Sequence, residues 1–119
     1  AEESLASPRR ESEAGELRSA VNRLYYTLFY GVSAALLDRH RSFKRHAGVR
    51  TAFHETFMKT RLLPPESGEL YDQLFEERLK GDYVAMTTFE RGHVEQKLEQ
   101  CAEFLVRLRP LISIFGPGP

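Results

Sequence analysis

The sequence has one cysteine, no tryptophan and no net charge. A single thiol, Cys101, excludes an intrachain disulfide and any zinc site built from cysteines of one chain. Seventeen basic side chains balance seventeen acidic ones. That balance removes the long-range field expected of a protein that coats nucleic acid, although a local basic patch is compatible with it. Apolar runs of membrane-spanning length and a signal-peptide core are both lacking, so a soluble, cytoplasmic protein is expected. The chain begins at Ala1 and not at a methionine, which leaves its native N-terminus open. No window alternates apolar and polar residues over the length of a strand. A Gly-rich phosphate loop, an HExxH pair and a recognisable Ser, His and acid set are missing as well, and nothing in the sequence calls for a cofactor.

What is present is helical periodicity. With 119 residues the chain has room for one domain. In residues 16 to 40, Leu17, Val21, Leu24, Leu28, Val32 and Leu36 recur at helical spacing, with Tyr26, Phe29, Tyr30, Ser33 and Leu37 as a second stripe beside them. A helix apolar on so much of its circumference must be covered on more than one side, by its own bundle or by another subunit. Val49, Phe53 and Phe57 signal a further helix that ends near Leu62–Pro65, where proline forbids continuation. Leu70, Leu74 and Leu79, with Tyr71, Phe75 and Arg78 on an adjacent line, mark the next, which Gly81 is expected to interrupt. The last opens at Thr87 or Thr88, with Thr87 and Glu90 at capping-box spacing, and carries Val94, Leu98, Cys101, Leu105, Leu108 and Ile112. Residues 1 to 14 could add a short helix, but Pro8 inside it would cost roughly 3 kcal/mol. The expected architecture is an all-α, up-and-down bundle of four to five helices over residues 15 to 112, with a disordered Gly/Pro tail at 113 to 119.

Charge is segregated along the chain. Arg39, Arg41, Lys44, Arg45 and Arg50 precede His54 with no acid among them; Glu66, Glu69, Asp72, Glu76 and Glu77 follow with no base among them. Such runs are ordinarily solvated faces that pair weakly across a bundle. The alternative is a phosphate-contacting patch, to which His46 would add a ring at a helix start, beside backbone N–H groups that favour an anion. Glu90 and His93 have the i, i+3 spacing of di-iron bundles, but no other histidine has a glutamate three residues before it, and capping explains Glu90 at less cost; no metal is expected.

The run NRLYYTLFYGVSAALL, then KRHAGVRTAF, then ERLKGDY, in this order and at these separations, resembles the HEPN superfamily (higher eukaryotes and prokaryotes nucleotide-binding), in particular its small stand-alone prokaryotic members. The resemblance covers roughly residues 15 to 112. It implies a helical bundle that commonly forms a homodimer, with a polar cleft around the Arg-containing motif. HEPN ribonucleases resemble one another in an Arg followed after four to six residues by His, with which they cut RNA without metal. Counted from Arg78, those places hold Tyr83, Val84 and Ala85. Tyrosine, with a pKa of ~10, is a poor base at neutral pH, so cleavage would require His46 to fold in or Tyr83 to be strongly perturbed. Other members serve as partners of a small nucleotidyltransferase, some as toxin–antitoxin pairs, a role that does not need the missing His. The resemblance therefore implies a nucleotide- or RNA-binding domain without efficient catalysis, its site lined by Arg78, Lys80, Asp82, Tyr83 and His46. A metal-independent endoribonuclease using Arg78, Tyr83 or His46, and a structural dimerisation module in which Arg78 merely pairs with Asp82, remain as alternatives.

Overall fold

A computed structural model describes residues 17–83 and 91–112 of the chain. Four helices carry the described residues, with no strand among them: α1 (Leu17–Leu37), α2 (His46–Phe53), α3 (Pro65–Tyr83) and α4 (Arg91–Leu108). A π-helical turn, His54–Met58, prolongs α2, and a 3-10 turn, Arg109–Leu111, closes α4. The expectations for residues 1 to 14, for the tail and for the Thr87/Glu90 cap fall outside the described residues.

Helix α1 is the organising element, packing against α2, α3 and α4. Val21, Leu24, Leu28, Val32 and Leu36 are buried, as their spacing predicts. Their companions inside are Ala20, Tyr25 and Ala35, whereas the second predicted stripe lies at the surface: Tyr26 and Phe29 are half-buried, and Tyr30 and Leu37 are 65% and 64% exposed. Close packing against α4 depends on Gly31, where an added Cβ would stand 3.1 Å from Leu108 Cδ2. α1 ends in a reciprocal pair of bonds, His40 N to Leu37 O and Arg41 N to Leu36 O, both 2.9 Å. This closure places His40 in the left-handed region at φ 60°, a position glycine more often fills. Arg39 then ties the C-terminal end of α1 to the turn after α4 by donating from Nη1 to Ala35 O at 2.9 Å and to Leu111 O at 2.8 Å.

Helix α2 begins at His46, as expected, although its N-cap, Arg45, supplies no side-chain hydrogen bond. The π turn that follows is closed by Lys59 N donating to His54 O at 2.8 Å. Phe53 and Phe57 both enter the core from this segment, and Phe53 stacks on Tyr71 at 4.8 Å. Pro65 starts α3, where its missing N–H is no loss. The break expected at Gly81 does not occur; α3 continues to Tyr83. One glycine costs a helix only about 1 kcal/mol, which the packing of Leu70, Tyr71, Leu74 and Phe75 easily outweighs. From α4, Val94, Leu98, Cys101, Phe104 and Leu108 complete the core, joined by Ile112.

Candidate functional site

Three elements converge near the middle of α1. Tyr25 and Tyr26, adjacent on α1, point to different sides, so that Tyr25 is fully buried and Tyr26 half-buried, with Phe29 one turn further along. His46, the first residue of α2, lies against them. Its ring stacks on Phe29 at 4.3 Å and 10°, meets the edge of Tyr26 at 5.7 Å, and its Nδ1 is 2.8 Å from the Tyr25 hydroxyl oxygen. From α3 comes Arg78, whose guanidinium carbon sits 5.3 Å from the Tyr25 ring centre and 5.5 Å from that of Tyr26. Two residues 32 positions apart, His46 and Arg78, thus share one pair of aromatic rings.

The electrostatics follow from this arrangement. Desolvation lowers the His46 pKa from its ordinary value, and the nearby Arg78 charge lowers it further. Burial raises the Tyr25 pKa, so its phenol stays protonated. Tyr71 is perturbed upward in the same way, mainly by burial and then by Tyr25. The Tyr71 hydroxyl couples electrostatically to that of Tyr25 but has no hydrogen bond of good geometry among the described residues. Among the described residues the Tyr25 hydroxyl has one well-formed partner, His46.

Of the residues marked out in the sequence, the structure brings His46 and Arg78 together. Lys80, Asp82 and Tyr83 occupy the last turn of α3, and their side chains, with the expected Arg78–Asp82 pair, are outside the described part. Sequence reasoning missed Tyr25, a phenol hidden in a run of apolar residues; its only sequence signal is that it falls one position after Leu24 and three before Leu28, on the core-facing arc. The basic run does not form one patch. Arg41 Nη2 pairs with Glu55 at 3.0 Å, and Arg50 pairs with Asp72 at 2.8 Å and Glu76 at 3.2 Å while lying 4.5 Å over the Phe75 ring. His54 Nε2 joins the same Asp72 oxygen at 2.9 Å. Lys44 and Arg45 are exposed on the approach to His46.

A third polar cluster joins α3 to α4. His93 Nε2 and Glu77 Oε1 are 2.6 Å apart, and the buried Lys97 ammonium donates to Gln73. Cys101 lies one turn further along, its thiol pushed up to about 12 by burial and so held as the unreactive SH form.

Comparison with known proteins agrees with this architecture. Residues 1–110 match the HEPN domain profile. A UPF0332 protein of Thermotoga maritima is 43% identical over 97 residues, which is 82% of this chain and 74% of that protein. Two proteins of Methanocaldococcus jannaschii, each bearing the name "Putative toxin", are 35% identical over 72% of this chain and 58% of theirs, and 32% identical over 95% of this chain and 84% of theirs.

Proposed function

The chain belongs to the HEPN domain family, and from that premise we propose that it is the HEPN half of a toxin–antitoxin module. It binds a phosphate-bearing ligand, a nucleotide or RNA, at the α1–α2–α3 junction. One observation carries the reading: a guanidinium and an imidazole, from different helices, are set against the same two aromatic rings. Arg78 can donate two parallel hydrogen bonds to phosphate oxygens, His46 a third contact, and the half-buried Tyr26 a face on which a base can stack. Lys80, Asp82 and Tyr83 follow Arg78 in sequence on the last turn of α3. Two relatives carry toxin names, which supports the module reading. The partner is a small nucleotidyltransferase, the role in which the absent His after Arg78 is no handicap.

The chain acts as a homodimer in this reading, because Tyr30 and Leu37 are too exposed to belong to the protomer's own core and lie on one stripe of α1 with Tyr26 and Ser33. Light scattering at tens of micromolar checks it: Tyr30→Glu should convert a dimer to a monomer, and a monomeric wild type overturns it.

Ligand binding is tested by calorimetry with adenosine monophosphate and with a short single-stranded RNA, comparing wild type with Arg78→Ala. Loss of at least tenfold in affinity supports the site, and equal affinities overturn it. The endoribonuclease is the second reading, favoured specifically by His46 standing where it can supply the imidazole missing after Arg78. Rapid metal-independent cleavage of the RNA by the wild type, abolished in both Arg78→Ala and His46→Ala, would put that reading first.

A further inference from the structure

We infer that Tyr25 is a positioning residue that fixes the tautomer of His46, so that the ring presents a neutral Nε2–H donor to the ligand. The inference rests on the phosphate-binding reading of the site. Its ground is the direction of a single hydrogen bond. The Tyr25 side chain is wholly buried, and its hydroxyl oxygen is 2.8 Å from His46 Nδ1. Either group could be the donor in principle. Were Nδ1 protonated and donating to the phenol, the Tyr25 O–H would need another acceptor, and the neighbouring Tyr71 hydroxyl forms no well-formed bond with it among the described residues. A buried O–H without an acceptor is costly, so Tyr25 donates and Nδ1 accepts. The proton of the neutral ring is then on Nε2.

The surroundings hold this arrangement in place. Phe29 stacks on one face of the imidazole, Tyr26 closes an edge, and the Arg78 charge approaches from α3; among the described residues the titratable and charged groups facing His46 are thus Tyr25 and Tyr26 of α1 and Arg78 of α3. Burial and that cation both oppose a second proton on the ring. Among the described residues the His46 ring makes no hydrogen bond besides the one to Tyr25.

The chemical consequence is specific. A neutral imidazole whose Nδ1 accepts from a phenol and whose Nε2 carries hydrogen offers no lone pair to a ribose hydroxyl. It can donate to a phosphate oxygen, beside the guanidinium, but cannot act as the base that starts RNA cleavage. Tyr25 therefore bears on which of the two readings of the site applies, although the ligand never touches it.

The test uses the full chain labelled with nitrogen-15, and long-range proton–nitrogen correlation of the His46 ring at pH 7.5. Expected is a pyrrole-like shift at Nε2 and a pyridine-like, hydrogen-bonded shift at Nδ1, collapsing to a tautomer mixture in Tyr25→Phe, which keeps the ring packing and removes only the hydroxyl. An Nδ1–H tautomer in the wild type, or an unchanged His46 spectrum in Tyr25→Phe, overturns the inference. Adenosine monophosphate affinity, measured in parallel, should fall about fivefold in Tyr25→Phe, as for one lost positioning hydrogen bond. Should the wild type not bind the nucleotide, the binding reading fails while the nitrogen spectrum still decides the role of Tyr25.

Discussion

Two arginine–histidine pairs lie along the same face of α3, built from similar parts and finished differently. In one, Arg50 crosses Phe75 and His54 stands beside it, and both meet the carboxylate of Asp72, with Glu76 as a second acceptor for Arg50. In the other, Arg78 crosses Tyr25 and Tyr26 with His46 beside them, and the histidine is held by a phenol. The carboxylate neutralises the first pair within the fold, joining α2 to α3. The phenol orients the second without adding charge. A histidine engaged by a carboxylate is committed to the structure, whereas one oriented by a neutral hydroxyl and flanked by a guanidinium is available to an anion. The first joins α2 to α3, and the second is the proposed ligand site.

Exchanging the two arginines for alanine should break that contrast most visibly. Arg50→Ala removes the cation shared by Asp72 and Glu76 together with its contact on Phe75, and should cost about 1–2 kcal/mol of stability by urea denaturation while leaving ligand affinity within twofold. Arg78→Ala should do the reverse, with affinity down at least tenfold and a smaller loss of stability. Equal effects on stability, with no effect of either on binding, would make both clusters struts.

A subtler separation comes from Asp72→Asn, which keeps the volume but withdraws the charge that both Arg50 and His54 use. The expected loss is about 1 kcal/mol, because the pair is about one-third exposed and partly screened. Binding at the Arg78 end of α3 should not change. A change there in calorimetry would mean that the two clusters communicate along the helix.

These clusters also show what the sequence could and could not reveal. Val21, Leu24, Leu28, Val32 and Leu36 were legible because a helix repeats every 3.6 residues and the core faces one arc. Tyr25 was not, since a residue one step from that line is buried or exposed according to how α2 and α3 close over it, which no local period records. The basic block before and within α2 and the acidic block on α3 foretold pairing across the bundle, but not that Arg50 would be the residue that pairs. The helix through Gly81 escaped for a related reason: propensity is local and weak, and tertiary packing overrides it. Of the site, the start of α2 at His46 was readable from the pattern, and its meeting with Arg78 required the fold.

Acid should sharpen the contrast through His46. Its folded pKa lies below the unfolded value of ~6.5, so the unfolded chain binds the proton more readily. The stability that His46 contributes is therefore whole above pH ~6.5 and is lost as pH falls from there through the folded pKa. Urea midpoints measured from pH 7.5 down to 5 should drop more for wild type than for His46→Gln, which has no proton to take up. Parallel curves for the two proteins would show that the ring is not desolvated in the way its aromatic neighbours imply.

The smallest effect belongs to the rim of the structural cluster. Glu76 accepts from Arg50 Nη1 at 3.2 Å, but its side chain is 55% exposed, and water competes for the same guanidinium. Asp72 accepts from Nε at 2.8 Å and also receives His54, so it holds the geometry whether or not Glu76 is charged. Glu76→Gln should consequently cost only a few tenths of a kcal/mol, and that difference should vanish in 0.5 M salt, where the Debye length shrinks to about 4–5 Å. A loss approaching that of Asp72→Asn, persisting in salt, would mean that the strut is a three-member network in which the outer carboxylate is as necessary as the inner one.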